Sequence, residues 1–162
     1  MQTPKRFYNR GVKTSTYRCG LRALSLCMAL LMAVGAAHAS DWPAINKAIT
    51  EQAWNQAASL IDTGLQAHPR DARLRLLQGM VLAKTGHLLD AQTRLTQLST
   101  DHPELSEAHN NLGIVLALQN DWPAALYAFE RAHLTDPSNP AAEQNLHRAQ
   151  AQWAKQQAAA SE

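Results

Sequence analysis

The sequence predicts an all-α fold of stacked helical hairpins closed by a C-terminal capping helix, and three observations carry that prediction. Pro69, Pro103 and Pro137 stand 34 residues apart. Ala57, Ala91 and Ala125 keep the same interval, as do the large apolar residues four positions further on, Ile61, Leu95 and Phe129. A period of 34 residues shared by three kinds of slot marks an array of helix–turn–helix units rather than a domain wrapped round one core. Composition agrees: the chain is rich in Ala, Leu and Gln and poor in β-branched runs, so helix propensity favours the same class.

The first 39 residues stand apart from this pattern. They carry Lys5, Arg6, Arg10, Lys13, Arg18 and Arg22 without any acid, then an apolar run from Ala23 to Ala37, then Ala37-His38-Ala39. That order predicts a secretory signal peptide over 1–39, cut between Ala39 and Ser40. The apolar run is 15 residues long, short of the roughly 20 that cross a bilayer. An uncleaved anchor is the alternative, and it would confine membrane contact to the leader. Lipidation of Cys27 is not expected, because Leu26 before it is bulky and the cysteine sits inside the apolar run.

Removing the leader inverts the charge. The rest of the chain keeps nine of the 15 Lys and Arg against all 13 acids, a net charge of −4. With no basic run left, nucleic acid is excluded as a partner. Cys19 and Cys27 also leave with the leader, so the remainder forms no disulfide and no thiolate metal site. Its 123 residues suit one domain.

Helices are expected near 43–51, 54–67, 72–85, 88–100, 105–119, 122–135 and 140–158. They make repeats of about 40–71, 72–105 and 106–139, a capping helix over 140–158 and a flexible tail over 159–162. The first repeat is clear in its second helix, through Trp54, Ala57, Ile61 and the stop at Pro69. Its first helix, near Pro43 to Thr50, is irregular, as suits a terminal unit with one face in solvent. The second repeat carries Gly79, Leu82, Ala91, Leu95 and Pro103. Gln78 stands there where the third repeat has Leu112, and Leu98 stands for the small Ala132, so packing must adjust. In the third repeat Leu112, Val115 and Leu116 form an amphipathic stripe. Gly113 costs about 1 kcal/mol of helix propensity against Ala and therefore needs a packing reason, the close approach of a second helix. Asp121 caps that helix, Pro123 is tolerated in its first turn, and Ala125, Phe129 and Ala132 form its buried face before Asp136-Pro137 ends it. Helix 140–158 keeps Asn145-Leu146 in register with Asn111-Leu112 but has no partner helix.

The segment NNLGIVLALQNDWPAALYAFERAHLTDP, through Leu112, Gly113, Leu116, Ala125, Phe129, Ala132 and Pro137, closely resembles the tetratricopeptide repeat family. The likeness covers roughly residues 43–150. It implies a right-handed superhelix of hairpins whose first helices line a concave wall, and a role in holding a partner protein segment. The same resemblance assigns the contact slots to pairs four residues apart: Leu76 and Met80, Asn110 and Ile114, Gln144 and Arg148. Leu76 and Met80 would take an apolar side chain or serve as inter-helix core. Asn110 and Gln144 would bond a peptide backbone, and Arg148 a carboxylate. Some members clamp a C-terminal carboxylate with lysines and asparagines; Leu76 and Met80 fill those slots here, so a chaperone-tail clamp is not expected.

Catalysis needs convergent acid, base or nucleophile positions. The sequence has no Gly-rich phosphate loop, no G-x-S-x-G and no H-E-x-x-H. His68 and His102 precede prolines in equivalent slots and read as helix-end residues, while His109, His133 and His147 are scattered over the last hairpin and cap. The expectation is a non-enzymatic adaptor without cofactor or metal, periplasmic or secreted, that binds a protein or peptide of the cell envelope. The alternative is a structural module that self-associates through Ala141, Ala142, Ala149 and Trp153 of the last helix.

Overall fold

A computed structural model describes residues 41–161. The leader, with the cleavage site at Ala39 and Ser40, lies outside the described residues. Seven α-helices form among them: α1 Asp41–Thr50, α2 Trp54–Ala67, α3 Ala72–Lys84, α4 Leu88–Asp101, α5 Ser106–Leu118, α6 Trp122–Thr135 and α7 Pro140–Ala160. Each helix packs on the next in sequence. In addition α3 touches α5 and α5 touches α7, whereas α2, α4 and α6 do not reach one another. Helices α3, α5 and α7 therefore make one continuous wall and the second helices a splayed outer layer, with α1 joined through α2.

The turns inside the hairpins repeat as faithfully as the helices. Gln52, Gly86 and Asn120, one per hairpin at the 34-residue interval, all take positive φ (55°, 83° and 64°). Gly and Asn accept that left-handed geometry readily, and Gln does not. Each hairpin then ends in a C-cap, His68, His102 or Asp136, whose N–H bonds to Gly64, Leu98 or Ala132. Caps differ between repeats. Asp121 accepts from the Ala124 N–H at 3.2 Å, while its equivalents Ala53 and His87 offer no side-chain bond. Asp71 and Asn139 cap α3 and α7.

The core is a row of junctions rather than one nucleus. Ile45, Ala48, Ala57, Ile61, Leu74 and Val81 fill the first. Ala91, Leu95 and Val115 fill the second. Leu116, Ala125, Ala128, Phe129 and Ala149 fill the third. Glycines set the approach within hairpins. A Cβ on Gly79 would lie 2.6 Å from Leu95, and one on Gly113 would lie 2.7 Å from Phe129. Between hairpins, Gly64 receives Leu74, which would stand 2.9 Å from a Cβ there. One repeat later the bulk changes sides: Leu98 stands in the Gly64 slot and Ala108 in the Leu74 slot, both fully buried. That exchange is how the packing absorbs Leu98.

Two ends differ from expectation. Helix α1 starts at Asp41, ahead of the start expected near 43, so Trp42 belongs to it. Trp42 packs on the first core cluster, and the Arg73 guanidinium lies 4.1 Å from its ring centroid, which ties α3 to α1 and rewards the longer helix. Helix α7 runs on to Ala160, past the boundary expected at 158, because Ala154, Ala158, Ala159 and Ala160 are strong helix formers. In α7, His147 occupies the slot of Gly79 and Gly113, is exposed, and stands 3.9 Å from Glu143.

Candidate peptide-binding groove

The six groove residues fall into two groups. Leu76 is half-buried and packs against Ala91, Leu95 and Val115, so it serves the second core junction. Met80 is half-buried nearby on α3. Asn110 is only 9% exposed, and its Oδ1 accepts from Asn145 Nδ2 at 2.9 Å, a bond that links α5 to α7. Leu76 and Asn110 are thus engaged by the chain's own contacts. Ile114 is 37% exposed, and Gln144 and Arg148 are exposed on α7.

Ile114 and Arg148 come together over a hollow of about 350 Å³ between the last turn of α5, the start of α6 and the middle of α7. Ala117, Leu118 and Trp122 supply much of its apolar lining, with Asn145, Arg148 and Gln152 adding polar groups from α7. The Trp122 indole is fixed by donating Nε1–H to Asn120 Oδ1 at 2.7 Å, so the left-handed turn residue also orients the ring. Arg148 is the charged member of the lining. An apolar side chain fits the floor, and a carboxylate or carbonyl fits the rim. Gln144 shares a shallower depression on α7 with Pro140, Glu143, His147 and Arg148.

Leu118, Asn145 and Gln152 were not among the expected groove residues. Leu118 carried a signal: Thr50 and Lys84 are its equivalents, and a polar slot that turns to exposed Leu breaks the repeat.

Several other polar groups tie the helices together. His109 is buried and donates Nε2–H to the Pro103 carbonyl at 3.1 Å, and Ser106 donates to the Ala132 carbonyl at 2.9 Å. Arg75 meets Asp101 at 2.7 Å, binding α3 to the end of α4. The Arg75 hydrogen bond, with a second from Gln97, holds the Asp101 carboxyl below its ordinary range. Glu104 is also lowered, first by its own backbone N–H and then by His102. Among the described residues no group of three or more metal-ligating side chains forms, and no helix is long and apolar enough to cross a membrane. The alternative self-association surface is reduced, since Ala142 and Ala149 are buried inside this chain, leaving Ala141 exposed and Trp153 half-buried.

A tetratricopeptide repeat model matches residues 76–143. The Sgt2 tetratricopeptide domain of Aspergillus fumigatus superposes with a TM-score of 0.70 at 15% identity, covering 75% of this chain and 82% of that one. The first such domain of human RPAP3 gives 0.67 at 16% identity, covering 71% and 91%. The second domain of human RPAP3, solved in complex with an HSP70 peptide, gives 0.63 at 21% identity, covering 70% and 94%. At these identities the structural likeness is one of fold. No curated protein matched the sequence. Pattern, hairpin geometry and family model agree: residues 76–143 match the tetratricopeptide repeat, and the fold around them is of the tetratricopeptide type.

Proposed function

We propose that the chain is an exported, periplasmic adaptor that holds a segment of a partner protein against the first helices of its hairpins, in an envelope assembly, secretion or cell-wall process. The observation that carries this reading is the hollow under Ile114, Leu118 and Trp122 with Arg148 at its edge. It offers an apolar seat beside a cation on a preformed surface, which is how a short segment is bound with little ordering cost. A structural neighbour of the same fold holds an HSP70 peptide. The chaperone peptide itself is not carried over, because Leu76 and Met80 stand in the slots such a clamp would use. The role is binding, with no chemistry assigned to it.

Peptide display against the exported chain, followed by titration of the selected peptide, tests the site. Ile114→Glu and Arg148→Glu should each weaken binding about tenfold or more, while Leu89→Glu, at an exposed position on α4, should leave it unchanged. Equal affinity in wild type and Ile114→Glu would place the contacts elsewhere. Export is tested by the mass of the chain in a periplasmic extract, expected to begin at Ser40; full-length chain held in the membrane fraction would support the anchor instead.

A further inference from the structure

Two outward slots of the second helices are polar in the first two repeats and apolar in the third. Ser59, Thr93 and Tyr127 occupy one slot, and Gln66, Thr100 and Leu134 occupy another. Tyr127 is 67% exposed and Leu134 69%. They stand seven residues apart on α6 and share one face, on the opposite side of the helix from Trp122 and the hollow. Glu130 and Arg131 lie between them, one on each flank of the Tyr127–Leu134 line. Neither makes a side-chain hydrogen bond or ion pair among the described residues. An apolar line with one free charge of each sign beside it is a self-complementary pattern.

We propose that this face of α6 joins two copies of the chain. The charges select the geometry. In an antiparallel pair related by a two-fold axis, each flank meets its own copy, so Glu130 would oppose the partner's Glu130. In a parallel pair about a two-fold axis running along the helices, the flanks exchange, and Glu130 meets the partner's Arg131 twice. Tyr127 and Leu134 then each pack on their own equivalents along the seam. The face is about two turns long, so the dimer is a weak one, with dissociation in the micromolar range. The hollow stays open in it, and two grooves are carried side by side.

Sedimentation velocity of the full chain across the micromolar range tests the inference. Wild type should shift from monomer to dimer with concentration. Tyr127→Glu and Leu134→Glu, both at exposed positions, should keep their helix content by circular dichroism and stay monomeric. Glu130→Arg should weaken the dimer about tenfold, and adding Arg131→Glu should restore it, because the flanks are only exchanged. A wild type that remains monomeric throughout, or a dimer untouched by Tyr127→Glu, overturns the proposal. A double reversal that stays weak overturns the parallel pairing.

Discussion

Gly113→Ala is the sharpest probe of why the hairpins close as they do. A Cβ at that position would stand 2.7 Å from both Cδ1 and Cε1 of Phe129 and 3.0 Å from its Cγ. Carbon atoms pack comfortably at about 3.5–4.0 Å, so the ring or the helix must give by several tenths of an ångström. The ring has little freedom, since Phe129 is buried with Leu116, Ala125, Ala128 and Ala149 in the third junction. Overpacking of this kind costs about 1–3 kcal/mol, and the better helix propensity of Ala returns about 1. The expected net loss is about 1 kcal/mol, or about 4 °C in Tm for a domain of this size. Urea denaturation of a double-mutant cycle with Phe129→Leu isolates the cause. In the Leu background the Gly113→Ala penalty should vanish or turn into a gain. Gly86→Ala serves as a control, because it meets no atom within 4 Å but holds φ at 83°, so its cost is in the backbone and should not depend on Phe129. A wild-type background stabilised by Gly113→Ala, or the same penalty with Phe and with Leu at 129, would refute the close-approach account.

Other expectations follow from the same geometry. Leu98→Ala should cost about 2–5 kcal/mol and Ala108→Leu about 1–3, while the double exchange should recover most of the loss by recreating the Gly64–Leu74 arrangement; thermal denaturation of the three variants checks it. Gln52→Gly should raise stability by about 0.5–1 kcal/mol, since it removes an L side chain from a left-handed turn that Gly86 already occupies without strain; a fall in Tm would mean that Gln52 makes a compensating contact. The Asp101 carboxyl should titrate below an ordinary aspartate by NMR, and Arg75→Met should move it back up. Because its folded pKa is depressed, the Arg75–Asp101 contribution is fully present above the ordinary aspartate range and is lost as pH falls through the lowered value.

The period made the fold legible, because each slot was tested three times. Gly113, Phe129, Asp121 and Pro123 all act as their spacing implied, and a single hairpin would not have shown as much. The site was legible only as a set of slots. Register says that Asn110 faces the wall, but it cannot say that Asn145 from the next helix has already claimed its amide. Leu76 is similar: register places it on the wall, and packing adds that it also serves the junction between α3 and its neighbours. The informative residues were those that broke the period. Leu118, Tyr127 and Leu134 are apolar where their equivalents are polar, and that difference stands out once the exposed face is known. Helix ends were the least legible, because Trp42 and the alanines of α7 extend helices for reasons no repeat slot encodes.

The histidine at position 147 sets a limit on how this array can grow. A further hairpin docking on α7 as α6 docks on α5 would bring its second helix against the slot that Gly79 and Gly113 keep clear, and an imidazole fills it instead. Gln150, in the register of Leu82 and Leu116, would put an amide into that junction as well. A helix added against α7 would have to accommodate both side chains, so repeats gained by design enter at less cost ahead of α7. The groove would lengthen from within while the hollow at Ile114 and Arg148, or its copy in the last unit, travelled with the cap.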